Sequence, residues 1–118
     1  MINIYSSSRY KINKSGIKKY TSELLEKFAG QRPGALNIAF VGKRKMKEVA
    51  NEYKNEDVAL PILSFSYLHD RRNGDDDLIG EIVICYPQAV LLAAEREKKV
   101  DDMMYALIEH GLQNIFTK

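Results

Sequence analysis

The sequence predicts an α+β domain, in which helices pack on a single mixed β-sheet of about four strands. Short apolar runs typical of strands are interspersed with longer segments of helical periodicity, in the order β, α, β, α, β, β, α, α. Two successive strands break the strict βαβ alternation of a wholly parallel sheet, and the strands exclude a helical bundle. At 118 residues the chain has the length of one ordinary domain, so we expect residues 1–118 to form a single one.

The first predicted strand covers Ile2 to Tyr5, where apolar and polar residues alternate. A helix follows, with Ser15 as its expected N-cap and Gly30 just beyond its end. One face of this helix is apolar and consists of Ile17, Tyr20, Leu24, Leu25 and Phe28.

The second predicted strand, Leu36 to Val41, is apolar on both faces, so we expect a central strand that is covered on both sides. Gly42 ends it, and Lys43 to Lys54 has helical spacing of apolar residues. A glycine beside lysines can resemble a phosphate-binding loop, but GKRKMK lacks the G-x-x-x-x-G-K-[ST] pattern, so a nucleotide loop is not favoured.

The second half of the chain begins with a predicted strand, Leu60 to Tyr67, which has a proline near its start. A charged loop covers residues 69–77 and includes an acidic turn at residues 75–77. The last predicted strand is the apolar run LIGEIVIC, residues 78–85.

Two helices complete the chain. Pro87 suits the first turn of a helix whose following residues, 88–99, have helix-forming composition. The closing helix covers residues 100–118, and Asp101 or Asp102 is its expected cap. Its apolar residues fall at helical spacing around one imidazole, His110, which makes this helix the candidate for a functional site.

Composition and charge limit the function only weakly. The net charge of +2 does not by itself imply nucleic-acid binding, although basic residues gather at positions 11–19 and 43–47. Solvated helix surfaces are the favoured explanation for most of these lysines. Cys85, the single cysteine, excludes an intrachain disulfide and is expected to be a small buried residue. No apolar run reaches membrane-spanning length and no signal-peptide core follows Met1, so we expect a cytoplasmic protein.

Four segments in the same order and spacing resemble the YbeY family, bacterial rRNA maturation factors regarded as metal-dependent single-strand endoribonucleases. NEYKNEDVALPILSF, residues 51–65, resembles a family segment in which tyrosine and arginine precede K-D-x-P-T-D-V-L-S-F. LIGEIVIC is similar to the family strand L-x-G-D-I-V-I-S, and a helix that begins near Pro87 follows it in both. EHGL, residues 109–112, matches the start of H-G-x-L-H-L-x-G-Y-D-H.

The resemblance implies a zinc site, because the three histidines of that signature can hold one ion and leave a position open for water. His110 matches the first histidine, Asn114 stands where the second is expected, and the third would fall after Lys118. One imidazole and one neutral amide make a poor transition-metal site. We therefore expect a degenerate metal site, unless further ligands come from a partner chain or from His69 or Asp70.

The resemblance also implies a residue that contacts RNA phosphate. Lys54 occupies the position of the family arginine, where it keeps the positive charge and loses the planar guanidinium fork. Ala59, Leu60 and Pro61 replace the family's polar P-T-D, whereas Glu81 replaces an aspartate conservatively. The candidate RNA-binding residues are Lys43, Arg44, Lys45, Lys47 and Lys54, of which Lys54 is also the candidate catalytic residue.

Several hypotheses remain open. The chain could be a metal-dependent rRNA endoribonuclease with Zn²⁺ at His110, and the partners implied are single-stranded rRNA and the small ribosomal subunit or its proteins. It could instead be a non-catalytic RNA- or ribosome-binding module on the same fold, or a diverged or shortened member without activity. Both candidate residues also have an interpretation without catalysis. His110 would then be a helix-face histidine that hydrogen-bonds locally, and Lys54 would be a helix-end lysine stabilised by the helix dipole.

Overall fold

The computed structural model describes residues 1–30, 34–68 and 78–117 of the chain. The order of elements is the predicted one, with these bounds: β1 Ile2–Tyr5, α1 Lys14–Ala29, β2 Ala35–Val41, α2 Lys43–Lys54, β3 Ile62–Ser66, β4 Leu78–Cys85, α3 Tyr86–Glu95 and α4 Val100–Phe116. The predicted charged loop of residues 69–77, including His69, Asp70 and the acidic turn, lies outside the described residues, as does Lys118.

The four strands form one mixed sheet in the order β1-β2-β4-β3. β1 and β4 flank β2 in parallel, whereas β3 pairs with β4 in the antiparallel direction. Each parallel pair is separated in sequence by a helix, and the antiparallel edge strand makes the sheet mixed. The α+β prediction is therefore confirmed.

The main core lies on the face of the sheet that α1, α3 and α4 cover. Alternate residues of the two central strands point to this face, with Ile38 directly beside Ile82 in the register of β2 and β4. Both side chains are fully buried against apolar residues of the helices. Aromatic stacking joins α1 to α4, through the pair Tyr20–Tyr105 and the pair Phe28–Phe116.

Helix α2 covers part of the opposite face. Met46 and Ala50 are fully buried there in a smaller cluster with Leu63, Val83 and Cys85. β2 is central, as predicted, but its residues on this face are only half-buried because one helix cannot cover the whole sheet. Cys85 is a buried residue, as predicted, and burial raises the pKa of its thiol above the ordinary value.

Both predicted N-caps are wrong, whereas Gly30 ends α1 as predicted. Asn13 caps α1, because its side-chain oxygen accepts a hydrogen bond from the Gly16 amide at 3.1 Å, and Ser15 lies inside the first turn. At α4 the N-cap is Lys99, which provides no side-chain hydrogen bond, and Asp101 and Asp102 lie in the first turn. There the two carboxylates still complement the positive end of the helix dipole.

Three elements are shorter than predicted, and one of them is α4, which ends at Phe116. α3 ends at Glu95 because the chain turns through Glu97, whose φ is 54°, while the Lys98 amide donates to the Ala93 carbonyl. This is the Schellman arrangement that ends a helix. β3 begins at Ile62, after a proline that provides no amide for strand pairing. Within the described residues, no helix has the length and apolarity needed to cross a membrane.

Glycines allow close packing between the sheet and α4. A β-carbon placed on Gly80 would lie 2.6 Å from the Phe65 carbonyl oxygen and 2.9 Å from Ile115 Cδ1. On α4, a β-carbon at Gly111 would instead meet the end of the Ile82 side chain, whose Cδ1 would be 2.9 Å away. The Phe65 backbone cannot move to make room for a side chain at position 80. The end of the Ile82 side chain can rotate away from an added methyl group at position 111.

We predict that Gly80→Ala lowers the free energy of unfolding by about 2 kcal/mol, in the range of overpacking penalties. Gly111→Ala, the matched control on the facing helix, should change it by less than about 1 kcal/mol, because the helical preference of alanine offsets the local crowding. Urea unfolding measures both values. Equal losses of stability in the two variants would show that the Phe65 carbonyl is not the constraint.

Candidate functional site

A cleft of about 270 Å³ lies between α2 and the sheet face that α2 partly covers. One wall is a stripe of α2 formed by Lys45, Val49 and Tyr53, which are four residues apart and therefore share a helix face. The floor comes from three strands, through Ala39, Val41, Phe65, Tyr67, Glu81 and Val83. The cleft exists because α2 buries Met46 and Ala50 against the sheet and leaves the adjoining strip of the sheet open.

Two aromatic residues form one end of the cleft. The side chain of Tyr53 is 61% exposed and meets Phe65 edge-on, with 5.0 Å between ring centroids and 64° between ring planes. Other large hydrophobic side chains are similarly exposed, Tyr5 among them, so exposure alone does not mark a site. Tyr53 differs in that it also lines the cleft, where its ring offers an aromatic face to a ligand.

Glu81 provides the acidic group of the cleft. It is half-buried in a strand whose remaining residues are almost all buried and apolar. Its carboxylate accepts a hydrogen bond from the Tyr67 hydroxyl at 3.4 Å, which leaves further acceptor positions on its two oxygens.

The predicted RNA-binding residues all lie on α2 and are all exposed: Lys43, Arg44, Lys45, Lys47 and Lys54. Of these, Lys45 lines the cleft. It approaches Glu48 at 4.0 Å, but both side chains are more than 60% exposed, so this pair adds little to stability. Lys45 is therefore available to a ligand.

Lys54 occupies the last turn of α2, where a positive charge complements the helix dipole. The segment after it departs from the family pattern for a packing reason. Ala59 and Leu60 pack against the small core under α2, and the Ala59 carbonyl accepts a hydrogen bond from Gln88 at 2.8 Å. Ala59 and Leu60 therefore belong to the core under α2 rather than to a functional site.

His110 and Asn114 form a pair on the exposed side of α4. Asn114 Nδ2 lies 3.3 Å from His110 Nε2, one helical turn apart. With the histidine tautomer in which Nε2 accepts this hydrogen bond, the lone pair that a metal would need is already engaged. Helix α4 packs on one face of the sheet and α2 on the other, so His110 and the basic residues of α2 are carried on opposite faces.

Within the part of the chain that the structure describes, the donors around His110 do not make up a zinc site. In the described parts of the chain, no three histidine, cysteine, aspartate or glutamate side chains are grouped closely enough to hold a metal. The pair itself supplies one imidazole nitrogen and one neutral amide, whereas zinc in proteins takes imidazole, thiolate and carboxylate ligands. His69 and Asp70, the other predicted ligands, are outside the described residues.

Of the residues that line the cleft, Lys45 alone is among the predicted site residues. Tyr53, Phe65 and Glu81 lie in the segments that resemble the family, and Tyr67 ends the predicted strand that begins at Leu60. One signal was present, because Glu81 is the only charged residue in LIGEIVIC. A carboxylate in an otherwise apolar central strand indicates a polar surface on one face of the sheet.

A family model described as endoribonuclease YbeY matches residues 3–115, which is nearly the whole chain. The chain belongs to the endoribonuclease YbeY family. The match covers β1 through α4, so the YbeY relationship includes both the cleft and the His110–Asn114 pair.

Individual YbeY relatives agree with this assignment. An endoribonuclease YbeY of Dehalococcoides mccartyi is 29% identical over 111 residues, which cover 84% of this chain and 69% of the relative. One from Cupriavidus metallidurans is 35% identical over 79 residues, covering 66% of this chain and 38% of the relative. The solution structure of a Thermotoga maritima protein superposes with a TM-score of 0.69 at 21% identity, over all of this chain and 73% of the other, and supports the fold.

We predict that Asn114→His strengthens Zn²⁺ binding by at least about tenfold, because it creates two imidazoles one helical turn apart on the same face of α4. Competition with a chromogenic zinc chelator measures the affinity. Asn51→His is the matched control, since it adds an unpaired histidine on the exposed surface of α2. Equal zinc affinity in both variants would contradict the assignment of position 114 to a metal-binding pair.

Proposed function

We propose that this YbeY-family chain is an rRNA maturation factor that binds single-stranded rRNA through α2, with a degenerate metal site at His110. The observation that carries the proposal is the exposed basic surface of α2, formed by Lys43, Arg44, Lys45 and Lys47, beside an aromatic cleft.

The basic surface has the properties that binding to an RNA backbone requires. Three of its cations occupy the first turn of α2, where the positive end of the helix dipole adds to the attraction for phosphate. No acidic residue lies in that turn. The contribution of each lysine comes mainly from release of counterions that surround the RNA, so binding weakens as salt increases.

The aromatic cleft adds an interaction that a simple basic patch lacks. Aromatic side chains stack on unpaired bases of any sequence, and such stacking distinguishes single-stranded RNA from a duplex, whose bases are already stacked. Tyr53 is exposed at the mouth of the cleft, and Lys45 lines the same wall. Backbone charge and unpaired bases can therefore be bound together.

A degenerate metal site follows from the chemistry of the His110–Asn114 pair. The amide stands where the resemblance implies an imidazole ligand, and in the tautomer that accepts from Asn114 it also engages Nε2 of His110, so we expect the pair to hold a divalent ion weakly. Under this proposal the chain acts by binding rRNA. We place this activity in the cytoplasm with the small ribosomal subunit or one of its proteins as a partner, as the family resemblance implies.

A second candidate is metal-dependent cleavage of rRNA, because relatives of the chain are named endoribonuclease YbeY. The observation that favours it is the exposure of His110, which leaves the imidazole accessible to an ion. In that case His110 would be a ligand, and Lys54 would neutralise phosphate charge.

We expect the double variant Lys45→Glu/Lys47→Glu to bind single-stranded rRNA at least about tenfold more weakly than the unmodified chain, because it reverses two cations of the basic surface. Fluorescence anisotropy with a labelled rRNA fragment, repeated at several salt concentrations, should also show a less steep salt dependence. The slope should fall by about 0.7 for each phosphate that the variant no longer neutralises. The matched control is Lys18→Glu/Lys27→Glu, which makes the same change in net charge at exposed positions of α1. This control should retain more of the affinity for single-stranded rRNA.

The same RNA, incubated with the chain in the presence and absence of a chelator, separates the two candidates. Binding without chelator-sensitive cleavage is the result we expect. Stoichiometric zinc with cleavage that a chelator abolishes would establish the second candidate instead. Equal binding by both double variants would show that the basic surface is not where RNA binds.

A further inference from the structure

The cleft beside α2 has the size of a site for one small planar group. Its volume of about 270 Å³ is slightly below the range of about 300–1,000 Å³ typical of pockets for drug-sized ligands. It is lined on one side by a single helix stripe and closed below by the sheet. A ligand of this size would meet Tyr53 and Phe65 at one end and Glu81 on the floor.

We propose that this cleft binds one unpaired nucleobase of an RNA strand and prefers a base that carries an exocyclic amino group. This inference rests on the RNA binding proposed above and adds the position of one base, which lies in the cleft. It makes Tyr53 a stacking residue and Glu81 a specificity-determining residue.

Stacking on Tyr53 would hold the base. The exposed Tyr53 ring is held by its edge-on contact with Phe65, so it loses little conformational freedom when a base is placed against it. Base–aromatic stacking of this kind needs a flat ring rather than a particular base. Selectivity must therefore come from another group in the cleft.

Glu81 is that group. An ionised carboxylate only accepts hydrogen bonds, and one acceptor position is directed to the Tyr67 hydroxyl. Cytosine presents an amino group at the position where uracil presents a carbonyl oxygen, so the carboxylate attracts the first base and repels the second. Acceptance from the amino group of cytosine is an established use of glutamate in base recognition.

Charge favours RNA over a protein as the occupant. The basic surface and Lys45 in the cleft wall attract phosphate, and Lys45 and Tyr53 are about 12 Å apart along α2 at the helical rise per residue. A strand of several nucleotides can span that distance with a base against Tyr53. An acidic protein segment would be attracted by α2 but repelled by Glu81 on the floor, and a basic one would be repelled by α2.

The test compares hexacytidylate with hexauridylate, two single-stranded RNAs that differ at this amino position. Fluorescence anisotropy should show that the chain binds hexacytidylate about tenfold more tightly, the discrimination expected of one base contact. Glu81→Gln keeps the shape of the side chain and supplies a donor for uracil, so it should reduce the ratio of the two affinities to near one. Glu23→Gln, at an exposed carboxylate on α1, should leave the ratio unchanged.

Two substitutions at Tyr53 test stacking separately from fold. Tyr53→Leu should weaken binding of both hexamers about tenfold, whereas Tyr53→Phe keeps the ring and should stay within about twofold. Both change an exposed position, and circular dichroism checks that they fold. Equal affinity for the two hexamers in the unmodified chain would overturn the base site and leave the proposed RNA binding intact. If neither hexamer binds and the rRNA fragment does not bind, both proposals are overturned.

Discussion

Burial of strand β4 on both faces is the constraint on which the rest of the structure depends. The strand is fully paired, parallel to β2 and antiparallel to β3, and its only half-buried residues are Leu78 and Glu81. Such burial needs helices on both faces, which α4 provides on one side and α2 on the other. Gly80 permits the first of these packings because the Phe65 carbonyl and Ile115 leave no room for a side chain.

The alternation of side chains along β4 then separates the functional positions. Ile82 and Ile84 point to the main core under α4, whereas Glu81 and Val83 point to the cleft beside α2. The helix that carries His110 therefore packs on one face, and the basic helix α2 with the cleft lies on the other. Because the two positions share no side chain, replacement of the second family histidine by Asn114 does not disturb the surface that we propose for RNA. The RNA binding that we propose for α2 therefore does not depend on whether His110 holds a metal ion.

The sequence allowed the elements to be predicted more fully than the site. Apolar periodicity is a local property, so each helix and strand of the described residues could be located, with errors at the ends. The N-cap of α1 was wrong because Asn13 and Ser15 can both cap, and the choice between them depends on the path of the preceding chain. The N-cap of α4 was wrong because Lys99 occupies that position without a side-chain hydrogen bond, which capping preferences cannot predict. Family resemblance made Lys54 and His110 candidates, which remain predictions. The cleft combines residues of α2 with three strands and Tyr67, and it could not be assembled from spacing alone. The role of Ala59 and Leu60 likewise became clear only from their packing under α2.

Mapping of bound RNA onto the chain by NMR tests the proposed binding through α2 most directly. Backbone amide resonances would be followed while a single-stranded rRNA fragment is added in the absence of metal. We predict that the largest shifts fall on α2 and on the strand residues of the cleft, at Lys45, Tyr53 and Glu81, with little change around His110 and Asn114 on α4. Shifts concentrated around His110, with α2 unaffected, would contradict binding through α2.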